Sequence, residues 1–540
     1  MKTITLQGQV VDLFAGTVQP GEVVVRGERI AAVNPLPTAP GQCILPGFID
    51  AHVHIESSLL SPAGFAALAT PHGTVATLSD PHEIANVLGV EGIRYMRANA
   101  AQAPLKCCFG VPSCVPASPF ETSGATLDSR TVAELLRDSL YLSEMMNWPG
   151  VLAADPEVMA KLNAARALGR RIDGHAPGLR GSQLAAYVAA GIHTDHETTG
   201  LDEGREKLAL GMKLMLREGS GARNLNALLP LLDEYPQACM LCTDDQHPDL
   251  LARGHMNTLV RRAVGAGIKP MKVLRAACLN PVLHYGLPVG LLRVGDPADF
   301  IVVDDLKEFT VLQTWIDGQL VAEHGRATFT PSAGERPNHF NAQPVRQEDL
   351  ALRCGGDRVR VIEAVDGQVF TGVGTARVPR AADGLLRAAP QRDVLKLAVL
   401  NRYRPAPVAL GFVRGFGLRC GVIASSVAHD AHNVIAAGAN DRDLAEAINL
   451  VVRHRGGLAY AAGDTCAVLP LPVAGLMSDE DGHEVARAYE TLSRQVGSTL
   501  QAPYMALSFL ALTVIPALKL SDRGLVDSTA FRFTSVGVDD

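Results

Sequence analysis

Short, largely apolar segments recur along residues 46–285, each ending in a polar residue and followed by a stretch with helical spacing. Segments 47–54, 74–80, 105–111, 141–146, 171–175, 192–196, 212–217 and 238–244 read as strands. Most lack the in-out alternation of a half-exposed sheet, as expected for strands covered on both faces. Eight strand-helix units over about 240 residues predict a (β/α)8 TIM-like barrel, an architecture of typically about 250 residues. An open doubly wound sheet is the alternative. No Gly-x-Gly-x-x-Gly follows a strand, however, and polar residues gather at the C-terminal ends of several strands, where barrels place their chemistry.

The flanks have a different pattern. Residues 1–45 hold short strands such as Ile4-Thr5-Leu6 and Val23-Val24-Val25-Arg26, the latter followed by a Gly27-Glu28 turn, and are too few to bury a core alone. Residues 286–327 have the same character, with an Asp317-Gly318 turn between strands. Together, 1–45 and 286–327 predict a small composite β domain beside a barrel of 46–285. From 328 to about 350 the composition shifts to Pro, Ser, Asn, Gln and charge, which reads as a linker. Beyond it, strands at 359–364 and 408–412 and a helix at 441–453 predict a separate C-terminal α/β domain, residues 345–540.

Composition narrows the class. A chain of 540 residues exceeds what one core supports, so several domains are expected. A net charge of −7 gives no sign of a nucleic-acid or membrane partner. Residues 1–16 do not resemble a secretory signal, and the apolar stretch 504–520 is broken by Ser508, Thr513 and Pro516. A soluble, cytoplasmic protein is expected. The ten cysteines are sparse, with Cys107, Cys108 and Cys242 in apolar strands, so a reduced compartment is the simpler reading. Cys239 and Cys242 form a C-x-x-C, but strand geometry sends them to opposite faces, which suits core packing.

Candidate chemistry begins at Gly47-Phe48-Ile49-Asp50-Ala51-His52-Val53-His54. Side chains at i and i+2 of a strand share a face, so His52 and His54 can grip one metal ion. The ends of later strands add Asp80, Glu144, His175, His196 and Asp244. Singly, such a histidine is ordinarily a core residue and such an aspartate a helix N-cap. Converging at one barrel rim, the four imidazoles with Glu144 and Asp244 predict a cage for two divalent ions, with Asp80 left over. His54-Ile55-Glu56 also matches half of the cytidine-deaminase zinc signature, but the Pro-Cys-x-x-Cys half is missing.

This constellation resembles the amidohydrolase superfamily. Within it, Pro46 to Ser58, Asp80-Pro81-His82-Glu83-Ile84-Ala85-Asn86-Val87, Glu144-Met145-Met146-Asn147, Gly174-His175-Ala176-Pro177, Thr194-Asp195-His196-Glu197, Cys242-Thr243-Asp244-Asp245 and Ser425-Ser426-Val427-Ala428-His429-Asp430-Ala431-His432-Asn433 resemble the bacterial adenine deaminase family, essentially end to end.

The resemblance implies that His52 and His54 hold the first metal with Asp244, that His175 and His196 hold the second, and that Glu144 bridges them. Other superfamily branches bridge with a carboxylated lysine, which this strand lacks. His193 and Asp245 face away from the cage by strand alternation. Imidazole and carboxylate ligands suit Mn, Fe or Zn, and the family tips the balance to Mn or Fe. The implied reaction is hydrolysis of adenine to hypoxanthine and ammonia, in which a metal-bridging hydroxide attacks C6 and Asp244 shuttles protons. Many superfamily deaminases place a glutamate proton donor where this chain has Gly178, so N1 needs another source. Glu83, His82 and Glu197 are the options, although Glu83 also suits a helix start. His429, Asp430, His432 and Asn433 are expected to cap the barrel mouth and touch the purine or order the site. The expected partner is a small purine base, and homo-oligomers are common in the superfamily. The rival readings are an amidohydrolase acting on guanine or a cyclic imide, and a non-catalytic barrel scaffold, which would have lost ligands.

Overall fold

The computed structural model describes residues 3–331 and 334–538. Its central part is a TIM-barrel-type domain built from the strands Phe48–Val53, Thr74–Ser79, Lys106–Phe109, Tyr141–Met145, Arg171–Gly174, Thr194–Asp195, Lys213–Arg217 and Cys239–Cys242. These fall within a few residues of the eight expected segments. The first three pair in parallel, as do the fourth with the fifth and the last three with one another. A parallel bridge from Val111 to Leu142 joins the third strand to the fourth, and the His193 N–H donates to the Ile172 carbonyl at 2.9 Å between the fifth and sixth. At the other edge the Asp244 N–H donates to His52 O at 2.9 Å and the His54 N–H to Asp244 O at 3.3 Å, so the last strand returns to the first.

Beneath the barrel lies an eight-stranded sheet made from both flanks. Thr3–Asp12, Thr17–Arg26, Arg29–Pro35 and Cys43–Pro46 share it with Phe300–Val303, Val311–Ile316, Gln319–Glu323 and Arg326–Ala327. Cys43–Pro46 runs antiparallel to Phe300–Val303, which sews the flanks together. Lys106, at the start of the third barrel strand, reaches Asp299 at 2.8 Å and Asp317 at 2.7 Å and ties this sheet to the barrel floor.

The C-terminal part is sheet-rich, where the sequence suggested alternating strands and helices. Eight strands from Arg358–Ala364 to Thr465–Pro470 form one sheet, with every pairing antiparallel except Arg358–Ala364 with Ala409–Arg414. Consecutive strands here are mostly joined by short connections, and short connections permit only antiparallel neighbours. The helices Asp441–His454, Gly482–Val496 and Pro503–Phe509 cover it. One hydrophobic core runs from the barrel residues Leu60, Phe65 and Ile84 to Leu397, Ile423 and Leu507. Backbone hydrogen bonds from Ser61 N–H to Ser478 O (3.0 Å) and from Ser478 N–H to Leu59 O (2.8 Å) cross the same seam. The expected linker is docked at its described residues Pro337 and Asn341, through 2.7 Å bonds from the Ala474 N–H to Pro337 O and from the Asn341 N–H to Arg402 O.

Among the described residues, no helix is long and apolar enough to cross a membrane. All ten cysteines are unpaired, and Cys239 and Cys242 are buried in the eighth barrel strand.

Candidate active site

Where the barrel ladders end, the strand-terminal side chains turn inward and meet. The ring Nε2 atoms of His52 and His54 lie 3.1 Å apart. Asp244, held against the first strand by the backbone bonds above, places Oδ1 3.6 Å from His52 Nε2 and 3.2 Å from His54 Nε2. Glu144 divides its oxygens: Oε1 lies 3.7 and 3.2 Å from His52 and His54, and Oε2 lies 2.6 Å from His175 Nδ1 and 3.3 Å from His196 Nε2. The six side chains expected to converge are therefore in one buried cluster.

The cluster fits divalent cations. Ligand atoms bound to one ion at about 2.1 Å stand roughly 3 to 3.5 Å from each other, the spacing seen here. Triads such as His52, His54 and Asp244, and His52, Glu144 and His196, could each hold an ion. His54 Nδ1 lies 3.2 Å from the Asp80 carbonyl oxygen, which only accepts, so Nδ1 carries a proton and the neutral ring would present its Nε2 lone pair to the cage. Thiolates are absent from the donor set, which favours borderline or hard ions.

Charge balance explains the protonation states. Burial drives the Glu144 carboxyl upward, but His175 and His196 outweigh it and hold the group well below the usual range. The same exchange leaves His196 raised to about 9, because Glu144 overcomes the burial that would lower it. Arg217, which ends the seventh strand, is buried between two acids. Its guanidinium donates to both Glu197 oxygens, reaching Oε2 at 3.0 Å, and to Asp244 Oδ2 at 2.5 Å. Burial raises the Asp244 carboxyl, and Arg217, with His52 and His54, more than reverses that. Behind the second histidine pair, Asp195 accepts from Lys207 at 2.9 Å and from the Ala176 N–H at 2.8 Å, bracing the loop after His175.

The rim carries the remaining expected residues. His82 and Glu83 open the helix His82–Leu88. His82 Nδ1 lies 3.2 Å from Asp80 Oδ2, and its Nε2 lies 3.2 Å from Glu83 Oε1 and 3.7 Å from Asp430 Oδ1. His429 and His432 both reach Glu83. Asn433, expected to touch the purine or order the site, has its side chain bonded within the protein: it accepts from the Arg402 N–H at 3.0 Å and donates to Thr122 O at 2.9 Å. His193 lies outside the cage and accepts the Ile172 N–H at 3.2 Å. Asp245 turns from Asp244 toward Ser57 Oγ, at 2.5 Å. Gly178 has φ of +69° and open space at the Cβ position, and its N–H donates to Glu203.

The cavity above the cage has a free volume of about 30 Å3, with Met146, Val369, Phe509 and Leu512 as its apolar lining. Sequence reasoning missed Arg217, although it ends a barrel strand as the expected ligands do. The apolar wall carried no signal, since such residues read as ordinary core.

The amidohydrolase family profile matches residues 43–321, and that of the adenine deaminase C-terminal domain matches 368–532. An adenine deaminase of Salinibacter ruber is 55% identical over 544 residues, covering 99% of each chain. That similarity decides the family. The chain belongs to the adenine deaminases. A second member, from Methanosarcina barkeri, is 50% identical across 98% of this chain and 99% of its own. Among solved structures, an N-acetyl-D-glucosamine-6-phosphate deacetylase from Mycobacterium smegmatis is 19% identical, covers 59% of this chain and 100% of its own, and has a TM-score of 0.45.

Proposed function

We propose that this protein hydrolyses adenine at C6 to hypoxanthine and ammonia, with the buried cage as its metal centre. The observation that carries the reading is the division of Glu144 between two histidine pairs in a chain of this family. His52, His54 and Asp244 would hold one divalent cation and His175 and His196 a second, with Glu144 shared. Manganese or iron is the favoured metal and zinc the third option, in keeping with the N and O donors. Cations held there would supply Lewis acidity, bringing a water's pKa toward neutrality.

The chain's own residues then handle protons and orientation. Asp244 accepts a proton from the attacking water, with Oδ2 fixed by Arg217 so that Oδ1 stays aimed at the cage. The water oxygen bonds to C6 as N1 takes a proton, and the C6–N6 bond breaks as N6 takes another and leaves as ammonia. Both protons originate on the water whose oxygen becomes O6. We assign delivery of the N1 proton to Glu83, which is ionised at rest between the His429 and His432 rings and must first take that proton from the water before passing it on. Both oxygens of Glu197 are engaged by a permanently charged guanidinium that opposes proton uptake. Asp244 serves the leaving amine.

The same reading takes residues 46–285 as a (β/α)8 barrel, 1–45 plus 286–327 as its composite β domain, and 345–540 as a C-terminal domain that closes the mouth. The hydrogen bonds returning the eighth strand to the first, and the single sheet built from both flanks, support that division. A free purine base is the partner, and ten unpaired cysteines suit a cytoplasmic setting. The test is ammonia release from adenine, guanine and a cyclic imide by Mn(II)-loaded protein. Adenine is expected to be turned over fastest, and faster turnover of either other substrate would overturn the assignment.

A further inference from the structure

We infer that His432, with His429, is a positioning residue through which the C-terminal domain holds the Glu83 carboxylate in one orientation over the metal cage. The inference rests on the deaminase reading, which makes Glu83 the donor to N1. Its starting point is the hydrogen-bond status of the two imidazoles. The Ala428 N–H donates to His432 Nδ1 at 3.2 Å, so Nδ1 is an acceptor and the neutral ring carries its hydrogen on Nε2. That Nε2 is directed at Glu83 Oε2. For His429, the Ser508 Oγ accepts the backbone N–H at 3.0 Å and sits 2.6 Å from Nδ1, which leaves the hydroxyl hydrogen free to donate to Nδ1. His429 Nε2 then points at Glu83 Oε1, 3.1 Å away, and at Asp245 Oδ1, 3.4 Å away.

Each Glu83 oxygen thus faces one ring N–H supplied from outside the barrel. The arrangement argues against a third metal at this cluster, because an Nε2 that carries hydrogen has no lone pair for a cation. It also differs from substrate contact by His432, which stands behind Glu83 and outside the cavity lining. A carboxylate on the first turn of a seven-residue helix has free side-chain torsions, and two opposed donors remove that freedom. The consequence is functional: a proton donor displaced by an ångström loses much of its effect.

The test has two arms. In Zn(II)-loaded, 15N-histidine-labelled protein, the His432 signals are assigned by their loss in His432→Asn. The inference expects a bare Nδ1 and a protonated Nε2; protonated Nδ1, or Nε2 bound to metal, would overturn it. In Mn(II)-loaded protein, His432→Asn, which cannot place a donor at the Nε2 position, is expected to lower kcat about 10- to 100-fold with metal content retained. His432→Gln, whose amide nitrogen reaches that position, should recover most of the loss. Combined with Glu83→Gln, His432→Asn should cost little more, because the group it positions is already disabled. Fully additive losses, or no recovery in His432→Gln, would refute the clamp while wild-type turnover upholds the deaminase reading. Absence of ammonia release by the wild type, with the expected tautomer present, would refute that reading and leave the clamp standing.

Discussion

Asp244 has φ of +58°, in the left-handed region that L-residues seldom occupy but that Asp and Asn tolerate better than most. Asp244→Asn therefore keeps the backbone and removes only the charge and the proton-accepting oxygen. It should lower kcat by roughly 10²- to 10⁴-fold in an ammonia-release assay, the range for a lost acid-base group. A variant within twofold of wild type would end the role assigned to Asp244. Arg217→Met tests a different property, because it strands Glu197 and Asp244 as buried charges without their shared partner. Loss of one member of a buried ion cluster costs about 3 to 5 kcal/mol, so urea unfolding of the metal-free variant should show a drop of that order. The convergence of the cage side chains was legible in the sequence because a lone polar residue ending an apolar strand is conspicuous. Arg217 obeys the same rule, yet it escaped notice because it is not a typical metal ligand. For His432 the sequence offered only a choice between touching the purine and ordering the site, since the positioning role proposed for it depends on which ring nitrogen the Ala428 N–H meets.

The helix Pro503–Phe509 brings Phe509 to the apolar wall of the cavity, and the strand Leu518–Ser521 is tied to the segment that follows the helix, the Leu520 N–H donating to Leu510 O at 2.9 Å. Lys519 is fully buried in this strand, and its Nζ donates to Val369 O at 3.0 Å and Phe509 O at 2.9 Å, joining two of the wall residues. Burial pushes this amine down to about 7, below the ~10.4 of an unfolded lysine. Between those values the unfolded chain binds a proton that the folded chain lacks, so wild-type stability gains with rising pH. Below pH 7 both states are charged and the burial cost is fully present. Lys519→Met removes that dependence. Relative to wild type its stability should be highest below pH 7 and fall by up to about 4 kcal/mol toward pH 10, a trend that denaturant unfolding at several pH values checks. Where the helix meets the barrel, a Cβ at Gly221 would stand 2.5 Å from Met505 Cγ and 2.8 Å from Phe509 Cε2. Gly221→Ala should therefore displace the wall and cost about 1 to 3 kcal/mol, with KM for adenine raised. Barrel strands were readable because each is short and apolar. The antiparallel C-terminal sheet was not, because strand periodicity says nothing of which neighbour a strand chooses.

At the scale of the whole molecule, the hydrophobic core shared by the barrel and the C-terminal part makes them one mechanical unit over the metal cage. The cavity of about 30 Å3 has room for roughly two waters, so binding of a purine ring is expected to displace Met146, Phe509 or Leu512. Adenine or a purine analogue should consequently change hydrogen exchange in 503–512 more than in the flank-built sheet beneath the barrel. Uniform protection across both would contradict that motion. The account's central claim is that histidines and carboxylates from separate strands form a two-cation centre for adenine hydrolysis. Stepwise addition of Mn(II) to chelator-stripped protein, with ammonia release from adenine recorded at each step, tests it most directly. Activity should be negligible without metal and reach its plateau at about two equivalents per chain, as a two-metal site requires. Full turnover by metal-free protein, or a plateau at one equivalent, would contradict it.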